Sequence, residues 1–292
     1  MWYTVEAAFK TGFDGMAYLI ERCHDEGIEV HPVFNITRRG WSRFMSSFDH
    51  MYYDDPRENK HNSNKYYNIH MPKFRDWIVG VILDFVKHYE IEGLCFDYLR
   101  AGSGFYASNF NIDNYRARFG RNLKRDMAKG INAPGVMLRQ WNKDDIENIL
   151  RRIVKGAKTL RPDIVITNAG LGQCFPIGGA ASVRDQGQYN IDWVNSDLVD
   201  YILPWDYAHP IPETDWEYKD KLKNRRKGTV MGGLYHGKNP VESVLLHSIM
   251  PAILADDGDM TALYPNWMVD DKISNILKQQ YYYLPAVVPW RQ

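Results

Sequence analysis

The stretch GLCFDYLR, residues 93–100, decides the fold class of this chain of 292 residues. Its apolar residues 94–96 run without polar alternation, which is typical of a strand buried on both faces of a parallel sheet. The stretch then ends abruptly in the charged residues Asp97 and Arg100. Parallel α/β folds carry their chemistry at the carboxyl ends of such strands, so the stretch predicts a buried strand that delivers charge to a site. The alternative is an Asp and Arg pair that only tethers the following loop.

The composition is that of a folded protein with balanced charge. Hydrophobic residues make up 45% and charged residues 25% of the chain, which predicts one large α/β domain over residues 1–292. Thirty-six Lys and Arg residues balance 36 Asp and Glu residues, and there is no basic or acidic run, so we expect neither nucleic acid nor a membrane as partner. The aromatic content of 14% favours a cleft that stacks on sugars or rings.

Several motif classes are missing from the sequence. Cys23, Cys95 and Cys174 lie far apart without a C-x-x-C pair, which argues against a zinc site and a disulfide framework. No H-E-x-x-H, G-x-S-x-G, Walker or G-x-G-x-x-G motif is present, so we expect no metal and no cofactor.

The sequence has no signal-peptide pattern and no long apolar run. A leader that has been removed would be compatible with secretion or the periplasm, and the sequence leaves the oligomeric state open.

Strand and helix patterns alternate along the whole chain. Two amphipathic helices are expected at 74–89 and 142–160, the second with Asn142 as N-cap. A helix at 14–26, a strand at 28–35 and a polar helical stretch near 115–127 are also expected. Further helical stretches are expected at 216–223, 241–254 and 270–283. Apolar runs typical of buried strands lie near residues 28, 94, 164, 201, 230 and 261.

This alternation predicts six consecutive β/α units and a parallel sheet. An open doubly wound sheet and a (β/α)8 barrel both use that order. The missing nucleotide-binding motif argues against the first, and polar or aromatic residues at nearly every strand exit favour the (β/α)8 TIM-type barrel.

Three stretches resemble the glycosyl-hydrolase-like family 10 proteins, a bacterial group of (β/α)8 barrels. They are DGMAYLIERCHDEGIEVHPVFN (14–35), YEIEGLCFDYLR (89–100) and VDYILPWDY (199–207). The resemblance implies that these stretches carry a third, a fourth and a sixth barrel strand, and that the chain is a glycoside hydrolase acting on a poly- or oligosaccharide. Since members of the family have a β/α/β unit before the first of these stretches, we expect a barrel that lacks its first β/α/β unit at the N-terminus.

Glycoside hydrolysis needs two carboxyl groups, about 5 Å apart for retention and about 6.5–9.5 Å apart for inversion. Asp97 and Asp206 are the best pair, because each ends an apolar strand. The resemblance to retaining barrel glycosidases implies that Asp97 is the nucleophile and Asp206 the acid/base. Alternatively, each Asp caps a loop or pairs with a neighbour. Other acids that would replace Asp206 are Glu213, Asp215, Asp49, Asp54 and Asp55.

Further residues at the strand ends are candidates for substrate binding. Arg100 would hold the nucleophile ionised or bind a substrate oxygen, or form only a structural salt bridge. The other candidates are Asn35, His31, Asn168, Trp205, Tyr235, His236 and Tyr264. For His31, a core role is the alternative. The competing function is a non-catalytic carbohydrate-binding or degenerate barrel, which an Asp97 locked against Arg100 without a second acid would favour.

Overall fold

A computed structural model of the protein describes residues 10–38, 67–102, 107–170, 184–206, 222, 228–231, 260–263, 271–276 and 278–279. The chain divides into two compact units. The first comprises Met1–Ile166 and Pro176–Tyr189, and the second comprises Thr167–Phe175 and Asn190–Gln292. Among the described residues, no helix is both long and apolar enough to cross a membrane.

The first unit contains two strands, the start of a third, and five helices within its described ranges. In chain order they are α1 (Gly15–Asp25), β1 (Val33–Asn35), α2 (Pro72–His88), β2 (Gly93–Asp97), α3 (Asn109–Phe119), α4 (Leu123–Lys129) and α5 (Leu138–Leu160). Strands β1 and β2 are parallel, and Asn35 lies opposite Asp97 in their register. Strand β3 (Val165–Gly170) begins in this unit, where the Val165 N–H donates to the Glu92 carbonyl oxygen at 2.9 Å.

Helices α2 and α5 pack against each other, because each has an apolar face that is buried by the contact. Ile82 on α2 and Ile149 on α5 are both fully buried. Gly156 permits the close approach, since a Cβ atom built there would lie 2.5 Å from the Leu83 side chain. Both predicted amphipathic helices are therefore confirmed.

The second unit contains a series of parallel strands. Strands β3, β4 (Tyr201–Asp206), β5 (Gly228–Met231) and β6 (Met260–Leu263) pair in chain order. In the register, Thr167 lies opposite Tyr201, and Asp206 lies opposite Met231. Two short helices belong to this unit in its described ranges, α6 (Asn190–Asn195) and α7 (Asp271–Ile276). All six predicted strands are confirmed, and with them the α/β fold with a parallel sheet.

Some element boundaries differ from the predictions, because polar side chains redirect the backbone. The first strand covers only residues 33–35, since the Val30 N–H donates to the Glu92 carboxylate instead of a strand neighbour. Asn142 is not an N-cap: α5 already begins at Leu138.

Helix boundaries also differ elsewhere in the chain. The polar helical stretch near 115–127 is two helices, which separate at the left-handed Gly120. Helix α6 was not predicted, because six residues are too few to show a helical period. The helices expected at 216–223 and 241–254 lie outside the described residues, apart from residue 222.

Candidate active site

Asp97 is the last residue of β2, a strand whose five residues are all buried. Its side chain is only 6% exposed, and it accepts a hydrogen bond from the Tyr98 N–H at 2.5 Å. Among the described residues Asp97 makes no ion pair. Burial raises the pKa of the Asp97 carboxyl group to about 6, although the Tyr98 N–H and the charges of Arg100 and Arg38 act to lower it.

The backbone turns sharply after Asp97. Tyr98 has a φ of 50°, a left-handed conformation that is costly for an aromatic residue and that clusters at functional sites. The Arg100 N–H donates to the Tyr98 carbonyl oxygen at 2.8 Å. The hydroxyl group of Thr37 donates to the carbonyl oxygens of Tyr98 at 2.8 Å and of Arg100 at 2.7 Å. The three residues after the strand, 98–100, are thus held in one defined turn.

Two guanidinium groups lie against the ring of Tyr98. Arg38 donates from Nη1 to the Tyr98 hydroxyl group at 2.6 Å, and its guanidinium carbon lies 4.9 Å from the ring centroid. The guanidinium carbon of Arg100 lies 4.4 Å from the same centroid. Arg38 is exposed whereas Arg100 is buried. Tyr98 therefore holds two cations near the Asp97 carboxyl group, where they favour its ionised form.

A buried polar segment, residues 185–188, lies beside this turn. Its Gln186 carbonyl oxygen accepts from the Ala101 N–H at 2.7 Å, and its Asp185 carboxylate accepts from Arg139 Nε at 2.7 Å. Gly187 has a φ of 85°, and a Cβ atom there would lie 2.7 Å from the Asn142 carbonyl oxygen. These contacts fix the segment to the start of α5.

Gln188 is the member of this segment that faces Arg100. Its Oε1 atom accepts from Arg100 Nη1 at 3.5 Å, and the side chain is fully buried. Its Nε2 atom has no acceptor, and it is the one buried side-chain donor in this state among the described residues. Burying an amide donor without a partner is costly and uncommon in folded proteins.

The structure places the predicted residues of the first unit at different ends of the strands. Asn35 ends β1 beside Asp97 and is exposed. His31 lies at the other end, because a Cβ atom on Gly93, the first residue of β2, would lie 2.2 Å from the His31 ring. That position is four residues, or about 13 Å, before Asp97. His31 interacts with the Glu29 carboxylate at 3.2 Å, and it is not part of the candidate site.

Three predicted residues of the second unit are among the described residues. Asn168 lies in β3, is fully buried, and donates from Nδ2 to the Asn190 side-chain oxygen at 2.6 Å. Trp205 and Asp206 are the last two residues of β4. The remaining predictions lie outside the described residues. They are Tyr235, His236 and Tyr264, together with the other acids Glu213, Asp215, Asp49, Asp54 and Asp55.

Four residues of this site were not predicted from the sequence: Thr37, Arg38, Tyr98 and Gln188. The register of β1 and β2 would have placed Thr37 and Arg38 just beyond Asp97, but pairing between strands 60 residues apart is not visible in a local pattern. Nothing in the sequence marks the left-handed Tyr98 or the buried Gln188. Within the described ranges, no group of three His, Cys, Asp or Glu side chains is placed to hold a metal ion.

A parallel α/β fold with a buried carboxyl group at a strand end is the arrangement of the TIM-barrel glycoside hydrolases. The chain belongs to the Glycosyl hydrolase-like 10 family, whose model matches residues 3–241. The resemblance predicted from the three sequence stretches is thereby confirmed.

A relative named as a glycosyl hydrolase agrees with this family assignment. The chain is 20% identical to Glycosyl hydrolase DigH of Escherichia coli O6:H1 in an alignment 296 positions long that covers 92% of this chain and 60% of DigH. It thus spans about 60% of the length of that relative.

Two solved structures establish the fold at low identity. The PgaB (BpsB) glycoside hydrolase domain from Bordetella bronchiseptica has a TM-score of 0.59 and 14% identity, covering 90% of this chain and 78% of that domain. Gan42B, a GH42 β-galactosidase from G. stearothermophilus, has a TM-score of 0.54 and 12% identity, covering 85% of this chain and 42% of that one.

Proposed function

We propose that the protein is a retaining glycoside hydrolase that acts on a poly- or oligosaccharide, with Asp97 and Asp206 as its two catalytic carboxyl groups. The family and the fold support a glycosidase, and the similar proteins DigH, PgaB and Gan42B are named as glycoside hydrolases. The observation that carries the proposal is the environment of Asp97. A carboxyl group that is buried, has a raised pKa and makes no ion pair among the described residues is a candidate for catalysis.

The alternative role of Asp97 as a loop tether has less support. A tether would pair with Arg100, whereas the Asp97 carboxylate accepts its hydrogen bond from a backbone N–H. Arg100 instead stacks on Tyr98 and contacts Gln188. The left-handed Tyr98 further favours a functional role, because strain of this kind clusters where chemistry needs a fixed geometry.

The raised pKa bears on which of the two roles Asp97 takes. The resemblance implied a nucleophile, which must be ionised when it attacks. A pKa of about 6 is instead typical of a general acid, which must carry a proton near neutral pH. The raised pKa thus supports the acid/base role for Asp97 with Asp206 as nucleophile, whereas the resemblance supports the reverse assignment. We propose the first, and the pH dependence of the rate distinguishes the two.

A screen of poly- and oligosaccharides against the parent protein and the Asp97→Asn and Asp206→Asn variants tests the proposal. The parent is expected to release reducing ends from at least one glycan. Each variant is expected to lose about 10²–10⁴-fold in kcat, because each removes a group that acts in the transition state. NMR of the first product formed is expected to show the anomer of the substrate, as retention requires.

Asp163→Asn is the matched control, because Asp163 is an exposed residue in the turn before β3. It is expected to keep the parent rate. Parent-like cleavage by both the Asp97→Asn and Asp206→Asn proteins would refute the assignment of the two acids. Binding of a glycan without cleavage by the parent would instead support the non-catalytic carbohydrate-binding protein.

A further inference from the structure

Thr37 connects the end of β1 to the turn after Asp97. It lies two residues beyond Asn35 and is fully buried. The Ile36 N–H, just before it, donates to the Asp97 carbonyl oxygen at 2.9 Å. The Tyr67 N–H donates to the Thr37 carbonyl oxygen at 2.8 Å. The backbone at Thr37 is therefore held from two sides, which fixes the position from which its side chain extends.

The side chain of Thr37 acts on two carbonyl groups of the turn at once. Its hydroxyl oxygen lies 2.8 Å from the Tyr98 carbonyl oxygen and 2.7 Å from the Arg100 carbonyl oxygen. A hydroxyl group has one proton, so these two acceptors share it. The hydroxyl group thus links the two carbonyl groups of the turn that contains the left-handed Tyr98.

The same turn also sets the orientation of both charged side chains. The Asp97 carboxylate accepts from the N–H of Tyr98, the residue with the strained φ. The Arg100 guanidinium lies over the ring of the same residue. A change at Tyr98 therefore moves a donor to the carboxylate and the surface on which the guanidinium rests.

We propose that Thr37 is a positioning residue, which holds the turn after Asp97 and so fixes the Asp97 carboxyl group and the Arg100 guanidinium relative to each other. The consequence for catalysis rests on the proposed function, in which Asp97 reacts with the substrate. The positioning itself does not depend on any substrate, and it can be measured without one.

The test compares Thr37→Val, which removes the hydroxyl group from a side chain of the same shape, with Thr37→Ser, which keeps it. In Thr37→Val, kcat is expected to fall about 10- to 100-fold, as for a small displacement of a catalytic group. KM is expected to stay within about threefold, because Thr37 is buried away from solvent. Thr37→Ser is expected to restore kcat to within about threefold of the parent.

A second readout follows Asp97 itself. The pKa of its carboxyl group, measured by carbon NMR and assigned with Asp97→Asn, is expected to rise in Thr37→Val by about half a unit or more. The reason is that the Tyr98 N–H, which favours the ionised carboxylate, depends on the held turn. Thr159→Val is the control, since it removes a hydroxyl-to-carbonyl hydrogen bond from an exposed position on α5. It is expected to change neither kcat nor the Asp97 pKa.

The outcomes separate this proposal from the proposed function. A Thr37→Val protein that loses stability but keeps the parent kcat and Asp97 pKa would overturn the positioning role, because a structural role alone gives that result. A raised Asp97 pKa in a protein that cleaves no glycan would support the positioning role and contradict the proposed function. Should Thr37→Val fail to fold, Thr37→Cys, whose thiol is a weaker donor, is expected to raise the Asp97 pKa. An unchanged pKa in Thr37→Cys would then overturn the proposal.

Discussion

Asp97 combines burial with a backbone donor and two nearby arginines. Burial disfavours the carboxylate, whereas the donor and the arginines favour it, and burial is the largest of these effects. The balance is a carboxyl group that binds its proton far more strongly in the folded protein than in the unfolded chain. The folded state therefore bears a cost for keeping this group in place at neutral pH.

Asp97→Asn is expected to stabilise the protein at alkaline pH. The pKa of Asp97 is raised from 3.8 to about 6, so its contribution to stability is fully present below about pH 4 and is lost as the pH rises through about 6. At pH 8 the Asn variant should gain on the order of 2–3 kcal/mol in the free energy of unfolding. At pH 4 the two proteins should be about equally stable. Urea unfolding at both pH values measures this difference.

The exposed Asp163 again supplies the control, because Asp163→Asn should leave the free energy of unfolding nearly unchanged at both pH values. An Asp97→Asn protein less stable than the parent at pH 8 would contradict the raised pKa. It would indicate that the carboxylate is a stabilising structural group.

The sequence predicted Asp97 and Arg100 because an apolar run that ends in charge is a local signal. It did not predict Thr37 or Gln188, because each contacts residues more than 60 positions away. His31, for which a core role was the alternative, lies beside Gly93 at the start of β2. This position depends on the register of β1 and β2, which a local pattern does not show.

At the scale of the helices, a buried acid joins three elements of the first unit. Asp145 on α5 accepts from His70 Nδ1 at 2.8 Å, lies 3.1 Å from Arg75 Nη1 on α2, and accepts from Arg118 Nη1 on α3 at 3.2 Å. The His70 ring stacks on Trp141 with centroids 3.4 Å apart. Burial lowers the pKa of His70 despite the pull of Asp145. Because a carboxylate only accepts, Nδ1 is the donor in this contact.

Asp145→Asn is expected to destabilise the protein by about 3–5 kcal/mol, because it removes the charge that compensates partly buried arginines. Asp144→Asn is the matched control. The Asp144 carboxylate pairs with Arg118 at 2.6 Å but is 30% exposed. Such surface pairs contribute about 0–1 kcal/mol. Denaturant unfolding of the two variants measures the difference. Equal effects of the two substitutions would show that Asp145 does not join the helices energetically.

The helices themselves were predictable where an apolar period runs for several turns, as in α2 and α5. The boundaries of these helices were harder to predict. Asn142 has the side chain of an N-cap, yet it lies inside α5 and donates to the Asp185 carbonyl oxygen at 2.7 Å. A partner that lies 43 residues along the chain thus overrides the local preference.

For the whole molecule, the alternation of strand and helix was enough to predict the parallel α/β fold. Six strands in the expected order and the similarity to TIM-barrel glycoside hydrolases agree with it. The features that mark the candidate site were harder to predict from the sequence. Burial and strain, which single out Asp97 and Tyr98, arise only when distant segments pack together.

The most direct test of Asp97 as a catalytic acid is the pH dependence of kcat/KM, which reports the pKa values of the free enzyme. With a glycan that the parent cleaves, we predict that kcat/KM falls as the pH rises, with a midpoint near the pKa of about 6 assigned to Asp97. Asp97→Asn should lose about 10²–10⁴-fold at the pH optimum. A fall on the acidic side near that pH would make Asp97 the nucleophile. An Asp97→Asn protein that keeps the parent kcat/KM would contradict a catalytic role for Asp97.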